Sequence, residues 1–508
     1  MTSSSIRTGL LVIGSGIMGA AVARLARERQ PDLEITMVDG GSAIGGTPGL
    51  HVHDVPDPAV WEKFNERAAS GIQGLYMGAE IITDRMHGDL SLQPGMFHAE
   101  ALGEISVDMP AVALAWNAGG MGVHWTAATP WPAGREVFDD GDTDQWDDDL
   151  EQARRLLGVT PVGIGPTSAG DVVLNVLNDR YGSVSPPERR AQPMPMAVVP
   201  GADGRLARTG PSLIFPPIGG AADENFVLLT GSLATRLIVG DQDVRGAVIR
   251  DAASGVESEI LASVVIVCAD AVRTPQLLFA SGIRPHALGR YLNEHAFVTG
   301  RVLMDLDRFG LGLDTLPRNA EAEYCTDSLW LPQNGPTQPF HGQIMNTVYV
   351  NDVDDALAYN VGLSLYVPVE SRAANRLEFS DSEVDIFGMP RITFDFAYSD
   401  ADLALIERAV AEIGELAADF GAFDPETELM VLPSGSSLHL TGTVRSGLVD
   451  DGSSVCDRDG RVWGYDNLFV AGTGAIPTPV VCNATLTGTI TAVRAARAAL
   501  LRLPSPVR

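Results

Sequence analysis

Lysine is almost absent from this chain of 508 residues, in which Lys63 is the only one. Because no GxxxxGK[ST] segment occurs, a P-loop and the nucleotide hydrolysis that depends on it are excluded. Pyridoxal chemistry is disfavoured as well, since it requires a lysine to form a Schiff base. The 65 aspartates and glutamates exceed the 35 lysines and arginines, and the net charge of −30 disfavours nucleic acids and anionic membrane surfaces as partners.

Cysteines and long apolar runs are also scarce. The four cysteines show neither CxxC pairing nor the spacing of metal ligands, so we expect no disulfide scaffold and no metal site. Apolar runs such as residues 10–13 and 264–267 are far shorter than the roughly 20 residues that span a membrane. Residues 1–8 are polar and lack the apolar stretch of a secretory signal, so we expect a cytoplasmic location.

A glycine fingerprint stands near the N-terminus, between an apolar strand and a predicted helix. Gly14 permits the tight turn, Gly16 lets the backbone approach a pyrophosphate, and Gly19 allows the helix to pack on the strand. Asp39 follows the next predicted strand, where a carboxylate accepts hydrogen bonds from a ribose hydroxyl. The pattern predicts dinucleotide binding, the alternative being an accidental glycine turn.

The C-terminal region indicates which dinucleotide binds. The strand at residues 468–471, the turn that starts at Gly472 and the helix that begins near Thr485 would be surplus in a simple NAD domain. They are expected where a flavin extends inward, because a helix N-terminus stabilises the anionic reduced ring. Between the two ends, short apolar runs over residues 301–396 predict a sheet, and residues 401–420 predict an amphipathic helix.

Several further segments resemble one known family. The chain resembles the glucose-methanol-choline (GMC) oxidoreductases, and among them the pyranose oxidases and the bacterial oxidases that act on C3 of glucosides and C-glycosides. The resemblance covers nearly the whole chain. The segments that carry it are the fingerprint, residues 265–275, Leu292-Asn293-Glu294-His295, Gly122 to Pro130, Gln343-Ile344, Phe379-Ser380-Asp381, Gly388-Met389-Pro390, and His439-Leu440-x-Gly442-Thr443.

The resemblance implies an α/β fold, in which a Rossmann-like FAD-binding domain of GMC type carries an inserted α+β substrate-binding domain built on an antiparallel sheet. We assign residues 61–99 to a lid or excursion. The FAD-binding domain is then discontinuous, with residues 1–60, 100–135, 221–300 and 445–508, and the substrate-binding domain takes residues 136–220 and 301–444.

The resemblance implies that two residues carry catalysis. His439 matches the family's catalytic base. The alternative is a core histidine whose ring hydrogen-bonds a backbone carbonyl, which for an arbitrary histidine is at least as frequent. Asn483 matches the second active-site residue, whose amide would donate to the developing alkoxide, and its alternative role is a helix N-cap. The family's usual Asn-Pro-Thr is Asn483-Ala484-Thr485 here.

Other site residues follow from the same resemblance. His124 matches a histidine that is joined to the flavin 8-methyl group in fungal pyranose oxidases, and packing against the ring without a bond is the open alternative. Thr126 would lie near flavin N5 and the substrate. Gln343 matches a sugar-contacting glutamine, and Ser437 would make room for a bulkier ligand. Residues 345–349 depart from the fungal substrate loop, so regioselectivity would differ, unless this segment is a plain strand.

The sequence therefore predicts an FAD-dependent oxidoreductase that oxidises a secondary hydroxyl, at C3 or C2, of a pyranose sugar or glycoside to a keto sugar. Dioxygen, giving hydrogen peroxide, or a quinone would reoxidise the flavin. A GMC enzyme for a non-sugar alcohol, an NAD-dependent dehydrogenase, and a flavoprotein fold kept as a binding module are the alternatives. Neither nucleic acid nor membrane is an expected partner, and a homo-oligomer stays open.

Overall fold

The computed structural model describes residues 6–60, 94–200, 206–216, 223–316, 325–350 and 357–503. Within these ranges no helix combines the length and the apolar character that crossing a membrane requires. The helices are α1 (Ile17–Arg29), α2 (Thr143–Leu157), α3 (Ser168–Tyr181), α4 (Asp270–Ala280), α5 (Asp400–Phe420), α6 (Pro425–Glu428) and α7 (Ala484–Leu500).

The strands form two large sheets and several small ones. They are β1 (Ile6–Ile13), β2 (Ile35–Val38), β3 (Gly95–His98), β4 (Ala113–Trp116), β5 (Val159–Thr160), β6 (Gln192–Pro193), β7 (Met196–Pro200), β8 (Leu206–Arg208), β9 (Phe226–Leu229), β10 (Ser232–Val239), β11 (Val244–Asp251), β12 (Glu257–Val267), β13 (Ala296–Leu303), β14 (Asp327–Leu331), β15 (His341–Val350), β16 (Leu357–Val367), β17 (Arg376–Val384), β18 (Pro390–Asp395), β19 (Leu429–Val431), β20 (Ser446–Gly447), β21 (Cys456–Asp457) and β22 (Leu468–Val470).

The larger sheet has seven strands in the order β10-β11-β12-β1-β2-β9, with β22 paired to β12. Strands β22, β12, β1, β2 and β9 are mutually parallel where they pair. Residues 10–13 of β1 and 264–267 of β12 are buried on both faces, as their continuous apolar runs predict. The sheet therefore brings the N-terminal, middle and C-terminal segments together, and their carboxyl ends share one edge.

The second sheet has six antiparallel strands in the order β19-β13-β16-β15-β14-β6. Helix α5 covers one of its faces, and a Cβ atom built on Gly300 would lie 2.6 Å from Cγ2 of Ile413 on that helix. Side chains of alternate residues point to opposite faces of a strand. Thr299 and Arg301 of β13 and Ser364 of β16 therefore lie on the face away from α5.

The predicted excursion comprises residues 61–99. Residues 61–93 lie outside the described residues, and residues 94–99 lie within them. The predicted C-terminal strand and helix are observed as β22 and α7, and the predicted amphipathic helix is observed as α5. The assignment of chain segments to an FAD-binding and a substrate-binding domain stays a prediction.

Candidate active site

A long cavity opens along the carboxyl edge of the parallel strands β22, β12, β1 and β2. Gly14, Asp39, Cys268 and Gly472, each placed just after one of these strands, line it. The empty volume is about 1620 Å³, including the part open to solvent. Its lining extends from Gly14 and Asp39 to His439 and Thr485, so one elongated ligand bound along it would reach all of these residues.

The glycine fingerprint leaves space where a pyrophosphate would bind. A Cβ on Gly14 would collide with the carbonyl of Cys268, and one on Gly19 would collide with the carbonyl of Gly14. A Cβ on Gly16, by contrast, meets nothing closer than the carbonyl oxygen of Gly119 at 3.8 Å, because this glycine faces the cavity. The free N–H groups at the start of α1 lie beside that space, an arrangement that favours a phosphate.

Asp39 presents a carboxylate to the cavity. It accepts hydrogen bonds from the backbone N–H of Ser15 at 3.0 Å, the Ser15 hydroxyl at 2.6 Å and the backbone N–H of Gly41 at 2.9 Å. Burial raises the pKa of this carboxyl group, and the three donors oppose that shift. The oxygens keep further lone pairs for a ribose hydroxyl.

The other end of the cavity is formed by the C-terminal segment. Gly472 adopts a φ of +123°, which a residue with a Cβ rarely adopts, and Ala484 and Thr485 at the start of α7 line the wall. Positive potential from that helix end thus reaches the interior of the cavity. The glycine turn, the carboxylate of Asp39 and the start of α7 line one cavity, and these groups would hold FAD.

His439 lies on the wall of this cavity, at the end of a loop that hydrogen bonds hold in place. Leu438 before it has a φ of +60°, a strained value for a leucine. Glu294 holds the loop by accepting hydrogen bonds from the backbone N–H groups of Gly435 and Ser437 and from the Ser437 hydroxyl at 2.6 Å. The Ser437 hydroxyl in turn accepts the backbone N–H of His439 at 3.2 Å. Burial raises the pKa of Glu294 to about 7.

One hydrogen-bond chain determines which nitrogen of His439 carries the proton. The carbonyl oxygen of Val480 can only accept, so His295 donates to it from Nδ1–H at 3.3 Å. Burial holds the pKa of His295 well below its usual value, and its Nε2 is therefore an unprotonated acceptor. His439 then donates from Nδ1–H to this Nε2 at 2.9 Å. Consequently Nε2 of His439 carries a lone pair.

A second chain reaches the same site from the opposite side. The indole N–H of Trp330 can only donate, and it donates to Nδ1 of His341 at 3.0 Å. Burial lowers the pKa of His341 to about 3, so the neutral ring donates from Nε2–H to Oδ1 of Asn483 at 3.1 Å. The amide nitrogen of Asn483 is thereby turned toward Nε2 of His439, 3.5 Å away. Both hydrogen-bond chains therefore indicate that Nε2 of His439 is an unprotonated acceptor.

Gln343 completes the polar group beside His439. Its Oε1 accepts hydrogen bonds from the amide of Asn483 at 3.2 Å and from the hydroxyl of Tyr366 at 3.0 Å. Asn483 stands at the N-cap position of α7, yet its side chain makes no capping hydrogen bond. The burial of His439 lowers its pKa to about 4, so the ring is neutral near pH 7. His439 can therefore accept the proton of a bound hydroxyl group, and the amide of Asn483 can donate a hydrogen bond to the oxygen of that hydroxyl.

Two segments of the chain, residues 218–297 and 371–492, match family models described as GMC oxidoreductase. The chain is 38% identical to a C-glycoside 3-oxidase from Microbacterium trichothecenolyticum over 96% of its own length and 95% of that relative. The chain belongs to the GMC oxidoreductase family. The predicted recognition is thereby confirmed, and this GMC oxidoreductase is an FAD-dependent enzyme.

Two further similarities agree with this assignment. The GMC oxidoreductase is 27% identical to a pyranose 2-oxidase from Emericella nidulans, over 96% of this chain and 91% of that relative. A formate oxidase structure from Aspergillus oryzae RIB40 superposes with a TM-score of 0.66 at 15% identity, covering 98% of this chain and 99% of that chain. The latter similarity concerns the fold alone, and the predicted fold class is confirmed.

Six predicted site residues of this GMC oxidoreductase do not themselves line the cavity, namely Gly19, His124, Thr126, Gln343, Ser437 and Asn483. Of these, Asn483 contacts the lining residue His439, and Gln343 contacts Asn483. Among the described residues that line it are Gly122 and Trp125, whereas His124 and Thr126 are not. Nε2 of His124 lies 2.7 Å from Oδ1 of Asn117, and burial lowers the pKa of His124 to about 3. The Ser437 hydroxyl points to Glu294, as described above.

Sequence reasoning missed Glu294, His295, His341 and Trp330 as parts of the site. Glu294 and His295 entered it only as members of a matching segment. A signal was present nonetheless, because an adjacent pair of ionisable residues stands directly before β13, whose first residues are apolar and buried. Buried ionisable groups are rare unless they are paired or functional.

Proposed function

We propose that this GMC oxidoreductase oxidises the C3 hydroxyl of the pyranose ring of a glycoside, C-glycosides included, or of a free sugar, to give a keto sugar. Oxidation at C2 is the second candidate. The observation that carries the proposal is the lone pair on Nε2 of His439, which lies beside the amide of Asn483 in a cavity that fits FAD. C3 is favoured because the C-glycoside 3-oxidase is the more similar relative, at 38% against 27% for the pyranose 2-oxidase.

Each residue has one role in the proposed reaction. Nε2 of His439 takes the hydroxyl proton, the amide of Asn483 donates to the oxygen as negative charge develops, and Gln343 holds a neighbouring sugar hydroxyl. Bound FAD would supply the two-electron oxidation by which the same carbon loses a hydride, and dioxygen, giving hydrogen peroxide, or a quinone would reoxidise it. The oxidised carbon thereby forms its carbonyl. The sugar contacts of Thr126 and Ser437 stay predictions, as do the cytoplasmic location and a homo-oligomer.

Anaerobic mixing of the enzyme with candidate substrates tests this proposal. We expect the flavin absorbance to bleach with glucose and with O- and C-glucosides, and NMR of the product to identify a C3 ketone. A product oxidised at C2 would favour the second candidate. If none of these sugars bleaches the flavin while non-sugar alcohols do, the assignment of a sugar substrate is wrong.

We further propose that FAD is held without a covalent bond to His124. Nε2 of His124, one of the two ring nitrogens that could form such a bond, contacts Asn117 instead. Acid precipitation of the purified holoenzyme should therefore give a yellow supernatant and a colourless pellet. A yellow pellet from the native protein, turned colourless by His124→Ala, would contradict this and support the covalent link.

A further inference from the structure

Glu136 is a buried carboxylate that holds the segment leading into α7. The residue is 2% exposed, and its Oε1 accepts hydrogen bonds from the backbone N–H groups of Val481 at 2.8 Å and Cys482 at 2.9 Å. Its backbone carbonyl accepts the hydroxyl of Thr478 at 2.8 Å. The segment is thereby bound to Glu136 at three points, directly before Asn483.

The second oxygen of Glu136 is an acceptor as well. Oε2 accepts hydrogen bonds from the backbone N–H of Ala133 at 3.0 Å and from the side-chain amide of Gln333 at 3.1 Å. Amide and peptide N–H groups can only donate, so the geometry fits an ionised carboxylate with both oxygens accepting. Arg189 and the thiol of Cys482 are ionisable side chains that interact with it. These donors compensate for the cost of burying a charge here.

The peptide group between Val480 and Val481 connects Glu136 to two histidines. Its N–H donates to Oε1 of Glu136, and its carbonyl oxygen accepts Nδ1–H of His295 at 3.3 Å. His295 in turn accepts Nδ1–H of His439 at 2.9 Å. Hydrogen bonds in such a chain polarise one another, because a negative charge at one end makes each acceptor along the chain more negative. The charge of Glu136 therefore acts on His439 through one peptide group and one imidazole ring.

Among the described residues, no carboxylate contacts the ring of either histidine. The ring nitrogens of His439 bond His295 and the amide of Asn483. Those of His295 bond His439 and the carbonyl of Val480. Burial lowers the pKa of His439 to about 4, so its surroundings disfavour a charged ring. When Nε2 takes a proton, the imidazolium that forms has no counterion in contact with it.

We infer that Glu136 is a positioning residue of the active site, whose buried negative charge stabilises the protonated ring of His439 through this chain of hydrogen bonds. The inference rests on the proposed function, since it assumes that His439 takes the hydroxyl proton. That proton stays on His439, and each N–H group along the chain keeps its own hydrogen. A carboxylate in direct contact with a catalytic histidine stabilises its imidazolium in the same way.

Glu136→Gln tests the inference, because it removes the charge and keeps the size of the side chain. The rate constant of anaerobic flavin reduction by a saturating substrate should fall roughly fivefold to thirtyfold, since hydrogen bonds to charged groups are about twice as strong as neutral ones. The affinity for the substrate should change less than about twofold, and bound FAD should stay full. Asp402→Asn is the matched control. It removes a buried carboxylate that accepts the backbone N–H groups of Glu370 and Ser399 at 2.9 and 2.8 Å, and it should leave flavin reduction unchanged.

The pH dependence separates this electrostatic role from a merely structural one. The charge of Glu136 favours the protonated ring of His439, so its removal should lower the pKa of His439 further and move the acid limb of flavin reduction to lower pH, by roughly half a unit or more. A substitution that only loosened the segment would admit water, relieve the burial that lowers this pKa, and move the limb to higher pH. The other ionisable groups around the ring are the same in the variant and the wild type, namely Glu294, His295, His341 and Tyr366.

A double-mutant cycle with His295→Phe tests the route by which Glu136 acts. Phenylalanine breaks the hydrogen-bond chain, so Glu136→Gln should change the rate constant less than about twofold in that background. An equal loss in both backgrounds would overturn the inference and indicate that Glu136 acts through Cys482 on Asn483. A wild-type rate constant in Glu136→Gln, or an acid limb moved to higher pH, would overturn it too.

A second variant covers the case in which Glu136→Gln does not fold. Glu136→Asp keeps the charge but withdraws it by one methylene group, so the same two changes should appear at smaller size. A folded Glu136→Asp with an unmoved acid limb would contradict the inference. The substrate is whichever alcohol reduces the flavin of the wild type. Failure of every sugar would therefore refute the proposed substrate, while the alcohol that does reduce the flavin decides the role of Glu136.

Discussion

Replacing His439 by alanine is expected to lower the rate constant of anaerobic flavin reduction by a saturating sugar by roughly 10²–10⁴-fold, the usual contribution of a general base. The variant should retain its FAD, because the glycine turn and the carboxylate of Asp39 are untouched. Stopped-flow absorbance of the flavin measures the rate constant, and the absorbance at rest measures bound cofactor. His286→Ala, at an exposed histidine, is the control.

The pH profile gives the same residue a second test. Because burial lowers the pKa of His439 to about 4, its ring is neutral above that value and protonated below it. Flavin reduction in the wild type should thus be insensitive to this group from about pH 5 upward and fall as the pH drops through 4. Flavin reduction at the wild-type rate in His439→Ala would exclude His439 as the base.

The cofactor end of the site was predictable because its signals are local. Gly14, Gly16 and Gly19 are needed wherever a strand turns into a helix under a pyrophosphate, and Asp39 follows from the next strand. Gly472 and Thr485 could be placed by the same reasoning, because parallel strands bring their carboxyl ends to one edge. The fold class was therefore predictable from segments of about 30 residues each.

The environment of His439 could not be predicted in the same way. Its tautomer depends on His295, 144 residues earlier in the chain, and the brace on its loop depends on Glu294. Such contacts form only when β13 packs beside the C-terminal segment, and no periodic pattern in the sequence predicts that packing. The strained backbone at Leu438 is equally invisible, since leucine gives no sequence signal for a positive φ.

Replacing Asn483 by leucine is expected to lower the rate constant of flavin reduction by roughly 10²–10³-fold, as removal of one oxyanion-type donor does. Leucine is close to asparagine in size and removes only the amide. The donor facing Nε2 of His439 disappears, while Nε2–H of His341 loses its acceptor. Since the amide acts on the developing negative charge, the rate constant should fall much more than the affinity for the sugar.

Two measurements isolate this role. The same substitution is made at another asparagine, and bound FAD is measured together with the rate constant. Asn178→Leu, on α3, removes a half-buried amide that bonds the backbone of Ala191 and should leave flavin reduction unchanged. If Asn483→Leu reduced flavin at the wild-type rate, its amide would not serve the alkoxide. If the variant lost FAD, with normal reduction in the loaded fraction, Asn483 would instead hold the start of α7 against the cofactor. Because the hydrogen bond from His341 turns the amide of Asn483 toward His439, we expect Asn483→Leu to lower the rate constant while FAD occupancy stays full.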